Sequence, residues 1–193
     1  AYGGSWAENT GELFFEALDD YRSHAKVATL MSDGAMLAFE DADAADWREI
    51  PGKGVTPAPF YLIWTGAEQG PKRGYPWPWQ LFSVKLAVLE DEYPGALPHG
   101  AASGSAAARG WRLFRASCIS CHAISGDGGS LGPELNEPRG ITRYHDKLHL
   151  KAYIRKPSSF RRTKMPDFDE LTPSELDDLI AYFEHMTSLA GTK

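Results

Sequence analysis

Two cysteines and a histidine near the middle of the chain are the residues whose types and spacing are best suited to chemistry. Two residues separate Cys118 from Cys121, and His122 follows directly. Thiols at this spacing can add to the two vinyl groups of one porphyrin, and the adjacent imidazole can then bind the iron. The pattern Cys-x-x-Cys-His therefore predicts one covalently attached haem c, with His122 as an iron ligand.

Two other chemistries use the same residue types. A thioredoxin-like redox pair is typical of a βαβ context, whereas residues 106–114 have the composition of a helix. A zinc site could recruit His145 and His149, but 23 residues lie between Cys121 and His145, more than in the familiar zinc finger. Both alternatives stay open at the level of sequence.

The composition of the 193 residues is that of a folded globular protein, with 42% hydrophobic and 24% charged residues. Two cysteines are too few for a disulfide-stapled scaffold. The longest apolar run, residues 58–64, is too short to span a bilayer. We expect no membrane span and no nucleic-acid partner, and we interpret the start at Ala1 as the result of signal-peptide removal.

Charge divides the chain into unequal halves. Residues 1–100 carry 7 basic and 15 acidic residues, whereas residues 101–193 carry 13 and 11. A stretch rich in small residues and proline, residues 94–105, reads as a linker between them. We therefore predict two modules, residues 1–100 and residues 101–193.

Hydrophobic patterning predicts a small α+β or mostly β unit for the first module. The spacing of apolar residues in 11–21 predicts a short helix, and Asp33-Gly34 predicts a hairpin turn. Tyr75-Pro76-Trp77-Pro78-Trp79 is interpreted as a rigid plug over the sheet, and the alternative is a lid over the haem edge or a surface for a partner. The predicted strands are residues 26–31, 35–40, 59–65 and 80–89.

The second module has the pattern of a helical domain. Helices are predicted over residues 106–117, around 148–155 and over 173–189. Thr172 and Glu175 form a capping box around a proline at the first helical position, which marks the start of the last helix.

Several motifs of this module, taken in order, resemble the class I cytochrome c family over residues 106–193. Gly110 and Phe114 stand eight and four residues before Cys118, as in the family's first helix. Leu131-Gly132-Pro133-Glu134-Leu135 resembles its Gly-Pro-x-Leu segment, and Lys164-Met165-Pro166 resembles its Met-Pro pair. The resemblance implies an all-α haem domain in which the first and last helices cross at Gly110.

The resemblance also implies roles for individual residues. The Pro133 carbonyl accepts the second N–H of the proximal histidine, and Met165 is the sixth iron ligand. His145 and His149 are rival ligands, whereas Met186 is interpreted as core. The residues that would bind the haem are Cys118, Cys121, Phe114, Leu131, Pro133, Tyr153 and Phe160, and the metal ligands are His122 and Met165.

A run of basic residues between 143 and 164 precedes Met165 and contains one acid, Asp146. Such a surface can steer an acidic partner. The resemblance implies an exported, periplasmic cytochrome that carries single electrons between redox proteins and is not a catalyst. The basic residues are Arg143, Lys147, Lys151, Arg155, Lys156, Arg161, Arg162 and Lys164.

The first module, over residues 24–90, faintly resembles a shortened sulfite-oxidase-like molybdopterin fold. It contains no cysteine, so the thiolate that holds molybdenum in that family is absent. The alternative function is therefore the haem-containing electron-transfer subunit of an oxidoreductase, for example a sulfite-type dehydrogenase. Its first module would bind substrate or the catalytic subunit.

Overall fold

A three-stranded antiparallel sheet organises the N-terminal part of the chain in the computed structural model, which describes residues 11–70 and 74–190. The strands are β1 (Glu12–Ala17), β2 (Arg22–Lys26) and β5 (Leu81–Ala87), in the order β2-β1-β5. The central strand pairs Leu13 with Ala25 on one side and with Leu86 on the other.

The helix predicted for residues 11–21 is wrong, because β1 occupies this segment. Phe14 and Phe15 are consecutive and both buried, so the strand has apolar groups on each face. A strand buried on both faces shows no simple alternation, and its apolar positions can mimic helical spacing.

The hairpin predicted around Asp33-Gly34 is also wrong. Residues 27–32 form the short helix α1 (Val27–Ser32), and Gly34, with φ +79°, lies just beyond its C-terminal cap, Asp33. Strand β3 (Ala35–Ala38) pairs instead with β4 (Tyr61–Trp64), a partner distant in sequence. The predictions of strands over residues 59–65 and 80–89 are confirmed by β4 and β5.

The core of this unit lies between the sheet and the β3–β4 pair. Trp64, Tyr75 and Trp77 meet there, and the Tyr75 ring packs edge-on against Trp64 at 4.9 Å. The Trp64 indole N–H donates to the Pro76 carbonyl at 2.7 Å. The proline-rich segment therefore packs on the core, as the plug interpretation predicts. The buried cluster consists of Phe15, Ala25, Leu30, Leu62, Trp64 and Leu81.

The boundary between the two units falls between Glu92 and Tyr93, after the short helix α2 (Leu89–Glu92), and not at Gly100. The first part of the predicted linker, residues 94–105, is folded and packs within the C-terminal unit. A 3₁₀ turn covers Pro94–Ala96, and the Ala96 carbonyl accepts a hydrogen bond from the Tyr182 hydroxyl at 2.7 Å. Residues 93–100 therefore belong to the C-terminal unit.

The C-terminal unit contains the helices α3 (Ala106–Ser117), α4 (Lys147–Arg155) and α5 (Pro173–Ala190). These confirm the three predicted helices. The unit is not entirely helical, because β6 (Ala123–Ile124) and β7 (Asp127–Gly128) form a small hairpin. Ser125 and Gly126 both have positive φ, which is the turn geometry that joins two short antiparallel strands.

Helices α3 and α5 cross closely at Gly110, as predicted. A Cβ at this position would lie 2.0 Å from the Asp178 carbonyl oxygen and 2.7 Å from Tyr182 Cβ. Arg109 reinforces the crossing, since its guanidinium donates to both carboxylate oxygens of the buried Asp178. Within residues 11–70 and 74–190, no helix has the length and apolar character needed to cross a membrane.

Candidate haem-binding site

The end of α3 places the two cysteines and the histidine on one turn. Cys118 is the C-terminal cap, and its N–H donates to the Phe114 carbonyl at 2.8 Å. The N–H groups of Cys121 and His122 both donate to the Cys118 carbonyl, at 3.0 and 2.9 Å. These bonds fix the motif as a compact turn anchored on the helix.

Both thiols are free and half-buried. Burial, with a smaller contribution from Cys121, raises the pKa of the Cys118 thiol to about 12. Redox-active cysteine pairs have lowered pKa values instead. Because a helix and not a strand precedes the motif, both observations argue against the thioredoxin-like alternative.

Among the described residues, one hydrogen-bond partner holds the imidazole of His122. Its Nδ1 lies 2.8 Å from the Pro133 carbonyl oxygen. A carbonyl can only accept, so Nδ1 carries the proton and the Nε2 lone pair is available to a metal. Burial lowers the pKa of His122, which favours the neutral, ligating form.

Gly132 is a site residue whose own role the sequence reasoning missed. Its N–H donates to the Cys121 carbonyl at 2.7 Å. A Cβ on Gly132 would lie 2.4 Å from His122 Cε1, so a side chain would displace the ring. A glycine immediately before the proline that orients the histidine is the signal that could have identified it.

The other residues predicted to contact the haem differ in burial: Phe114 lies in the interior, whereas Leu131 and Phe160 lie at the surface. Phe114 is fully buried in the helix crossing, where its ring lies 5.3 Å from that of Tyr182. Leu131 and Phe160 are 51% and 47% exposed, which leaves both side chains accessible to an apolar ligand.

Tyr153 and Phe160 contact each other, with ring centroids 5.6 Å apart. Arg161 Nε donates to the Tyr153 hydroxyl at 2.9 Å, and its guanidinium also lies over the Tyr153 ring. His149 packs edge-on against Phe160 at 5.2 Å. These contacts define an aromatic cluster at the end of α4.

His145 and His149 are exposed, with ring centroids 5.9 Å apart. Among the described residues, no group of three or more His, Cys, Asp and Glu side chains could hold a metal ion. The zinc alternative therefore finds no support in this part of the chain.

Met165 is half-buried in a loop, and hydrogen bonds hold the residues that follow it in the sequence. The N–H of the buried Phe168 donates to the Arg155 carbonyl at 2.9 Å, and the Asp167 carboxylate accepts from Ser158. The Met165 N–H donates to Thr163 Oγ1 at 3.1 Å. The loop is thus tied to the end of α4 and to the 3₁₀ turn Pro157–Ser159.

The basic residues of the segment 143–164 fall into two groups: engaged residues, which form ion pairs with acidic side chains, and available residues, which do not. Lys147 pairs with Glu184, and Lys151 pairs with Asp177. The other six basic residues of the segment are exposed and form no ion pair with the described residues, although Arg161 donates to the Tyr153 hydroxyl; they are Arg143, Arg155, Lys156, Arg161, Arg162 and Lys164.

Comparison with known proteins gives one family and several relatives. Residues 105–183 match the family model described as cytochrome c oxidase, cbb3-type, subunit III. The chain is 31% identical over 119 residues to cytochrome c oxidase subunit 2 of Alkalihalophilus pseudofirmus, a match that covers 55% of this chain and 35% of that protein.

Two smaller cytochromes are also similar. Cytochrome c of Cochliobolus lunatus is 29% identical over 102 residues, covering 42% of this chain and 93% of the relative. A cytochrome c-553-like protein of Synechocystis is 34% identical over 76 residues, covering 39% of this chain and 65% of the relative. The chain thus spans about a third of the oxidase subunit and much more of the small cytochromes. No solved structure matches it significantly.

Together these findings support the cytochrome c family for this part of the chain and define residues 105–183 as a cytochrome c-type domain. Covalently bound haem c is its cofactor, and one such domain corresponds to one haem. The free thiols of Cys118 and Cys121 and the available Nε2 of His122 are the donor set that this group requires.

The resemblance of residues 24–90 to a sulfite-oxidase-like fold is not supported by these comparisons. The family match lies wholly within the C-terminal unit. The faint likeness rested on apolar strand patterns, which many small sheets share.

Proposed function

We propose that this chain carries single electrons between redox proteins through one haem c with His122 and Met165 as axial ligands. The observation that carries the proposal is the hydrogen bond between His122 Nδ1 and the Pro133 carbonyl, which leaves Nε2 free for iron. Two protein ligands leave no open position for a substrate, so we assign transfer of electrons and not catalysis.

Each part of the site has a task in this function. Cys118 and Cys121 supply the sulfurs of two thioether bonds, and haem c supplies reversible one-electron chemistry when bound. The Pro133 carbonyl and Gly132 hold the imidazole of His122 in one orientation. A fixed ligand set lowers the structural change that accompanies a change of iron charge.

The available basic residues supply a docking surface for an acidic redox partner. Arg162 and Lys164 are exposed and lie three and one residues before Met165 in the sequence. Attachment of haem c in the family takes place outside the bacterial cytoplasm, so we assign the protein to the periplasm.

Haem staining after denaturing electrophoresis tests the attachment. The wild type is expected to stain, Cys118→Ser and Cys121→Ser each lose one of the two thioether bonds and should stain more weakly, and the double variant should not stain. Ser120→Ala, within the same turn, is the matched control and should stain fully. An unstained wild type that has passed through a working maturation system would overturn the proposal.

Met165→Ala tests the sixth ligand. The variant should lose the sulfur-to-iron absorption band and bind carbon monoxide when reduced, because the thioether no longer fills the position. Loss of the band in His145→Ala or His149→Ala, with its retention in Met165→Ala, would show that the ligand is wrongly assigned.

A second candidate function is an electron-transfer subunit held within an oxidoreductase complex. The family model and one relative carry the names of oxidase subunits, which favours this possibility. Haem staining of native gels of periplasmic and membrane extracts separates the two. A stained band at the mass of the isolated chain supports the free carrier, whereas a band confined to a larger assembly supports the subunit.

A further inference from the structure

Strand β5 has an uncovered apolar face. Val84 and Leu86 alternate along one face and are 51% and 45% exposed; Phe82, 56% exposed, lies at a register shift in the pairing with β1, and Val88, just beyond the strand, is 51% exposed. Exposed apolar residues are ordinary when scattered, but a row on one face of one strand forms a continuous patch.

This patch continues the core of the N-terminal unit. Val84 lies opposite Phe15 in the register of β1 and β5, and Leu86 lies opposite Leu13. Residues directly opposite in an antiparallel pair share a face of the sheet. Phe15 is buried in the core cluster, and Leu13 packs against that cluster. Val84 and Leu86 therefore extend the core-facing side of the sheet to its edge, where their side chains are exposed.

Among residues 11–70 and 74–190, no strand pairs with the outer edge of β5. β5 lies at the end of the order β2-β1-β5. Within the described part of the chain, residues 82–87 make no backbone hydrogen bond outside their pairing with β1. Leu81, the first residue of the strand, donates to the Phe60 carbonyl, so the edge that the described residues leave unpaired is residues 82–87, and such an edge can accept a further strand.

Charge at the end of the strand indicates the kind of partner. Glu90 and Asp91 are exposed in α2, just after β5, whereas Lys85, the one base on the strand, is already paired with Glu92 at 2.5 Å. Residues 1–100 carry 15 acidic and 7 basic residues, so two copies of this unit repel each other.

We propose that β5 binds an extended segment of another protein by strand addition. The segment alternates apolar residues, which cover Phe82, Val84 and Leu86, and it carries basic residues where it meets Glu90 and Asp91. Backbone hydrogen bonds supply affinity, while the apolar row and the acidic end supply specificity.

A synthetic peptide of alternating valine and threonine, with lysines at both ends and a fluorescent label, tests the proposal by anisotropy against the full haem-bearing chain. Saturable binding is expected, weakened about tenfold or more by Leu86→Lys. Leu18→Lys is the matched control, because Leu18 is 62% exposed in the same unit but lies outside β5. Equal weakening in both variants, or no saturable binding, overturns the proposal.

Further measurements test whether charge contributes to peptide binding, whether the variants are folded and whether the chain associates with itself. A peptide ending in glutamates should bind the wild type more weakly, and the double variant Glu90→Lys with Asp91→Lys should reverse that preference. Circular dichroism checks that Leu86→Lys is folded. If it is not, Val84→Thr, which keeps a β-branched side chain, replaces it in the binding experiment. A concentration-dependent dimer in sedimentation that Leu86→Lys abolishes would overturn the proposal in favour of a second copy.

Discussion

Gly110 of α3 lies directly against the Asp178 backbone of α5, so close that a Cβ would sit 2.0 Å from the carbonyl oxygen. The contact is between backbones, and no rotation of a side chain can relieve a clash there. The two helices must separate if any larger residue is introduced, and α3 is the helix that carries the cysteine motif.

We therefore expect Gly110→Ala to lower the free energy of unfolding by about 1–3 kcal/mol, the usual range for overpacking a tight interior site. Thermal or denaturant unfolding of the haem-bearing protein measures it. Arg112→Ala adds an alanine to the exposed face of the same helix and should leave stability within about 0.5 kcal/mol of the wild type. Similar effects for both variants would contradict the close crossing.

Much of the C-terminal unit could be predicted because its signals are local. Ser105 accepts from the Ala108 N–H at the start of α3, and Thr172 and Glu175 cap α5 reciprocally. The Cys-x-x-Cys-His motif is likewise contained within five residues. Gly132 was harder to recognise, because its importance depends on the position of His122 in space.

The N-terminal unit was harder to predict because long-range pairing decides its structure. Residues 11–21 could form an amphipathic helix in isolation, but in the fold β1 is paired on both edges. Strand β3 pairs with β4 across more than twenty residues, so Gly34 follows a helix end and does not form a hairpin turn. Such pairings are not encoded in any short window of sequence.

Gly132→Ala should disturb His122 without touching the cysteines. Its Cβ would lie 2.4 Å from His122 Cε1, so the ring must rotate away from the Pro133 carbonyl. We expect haem staining to persist and the reduction potential to change, as measured by spectroelectrochemistry. Ser130→Ala is the control at an exposed neighbouring position, and a potential equally altered in that variant would show that the effect is not specific to the imidazole.

The two methionines of the C-terminal unit should behave in opposite ways. Met186 is 2% exposed, so Met186→Ala should cost about 2–5 kcal/mol of unfolding free energy and leave the absorption spectrum of the folded protein unchanged. Met165 is half-buried in its anchored loop, and Met165→Ala should change the spectrum with a smaller loss of stability. Unfolding curves and spectra recorded on the same samples check both; a spectral change in Met186→Ala alone would contradict the assignment.

Charge reversal should distinguish the available basic residues from the engaged ones. Arg162→Glu with Lys164→Glu should slow electron exchange with an acidic partner and flatten its dependence on salt, most clearly below about 0.1 M, where the screening length is about 10 Å or more. Lys147→Glu with Lys151→Glu changes the net charge equally, but these lysines already pair with Glu184 and Asp177. Stopped-flow rates across ionic strength provide the comparison, and identical slopes for the two double variants would mean that net charge alone controls the rate.

The capping box of α5 should contribute stability that depends on pH. The Glu175 carboxylate accepts from the N–H and hydroxyl of Thr172, and these bonds lower its pKa below the ordinary value of 4.5. A lowered pKa in the folded state means that the contribution of the Glu175 carboxylate to stability is present above about pH 4.5 and is lost as the pH falls through the folded value.

Glu175→Gln should therefore be less stable than the wild type at neutral pH, by no more than about 1 kcal/mol, and the difference in unfolding free energy should shrink as the solution is acidified. Denaturant unfolding of both proteins across this range measures the difference, with Ser174→Ala, an exposed and non-titrating position in the first turn of the same helix, as the control. A difference that is constant with pH would show that the Glu175 charge does not stabilise the start of α5.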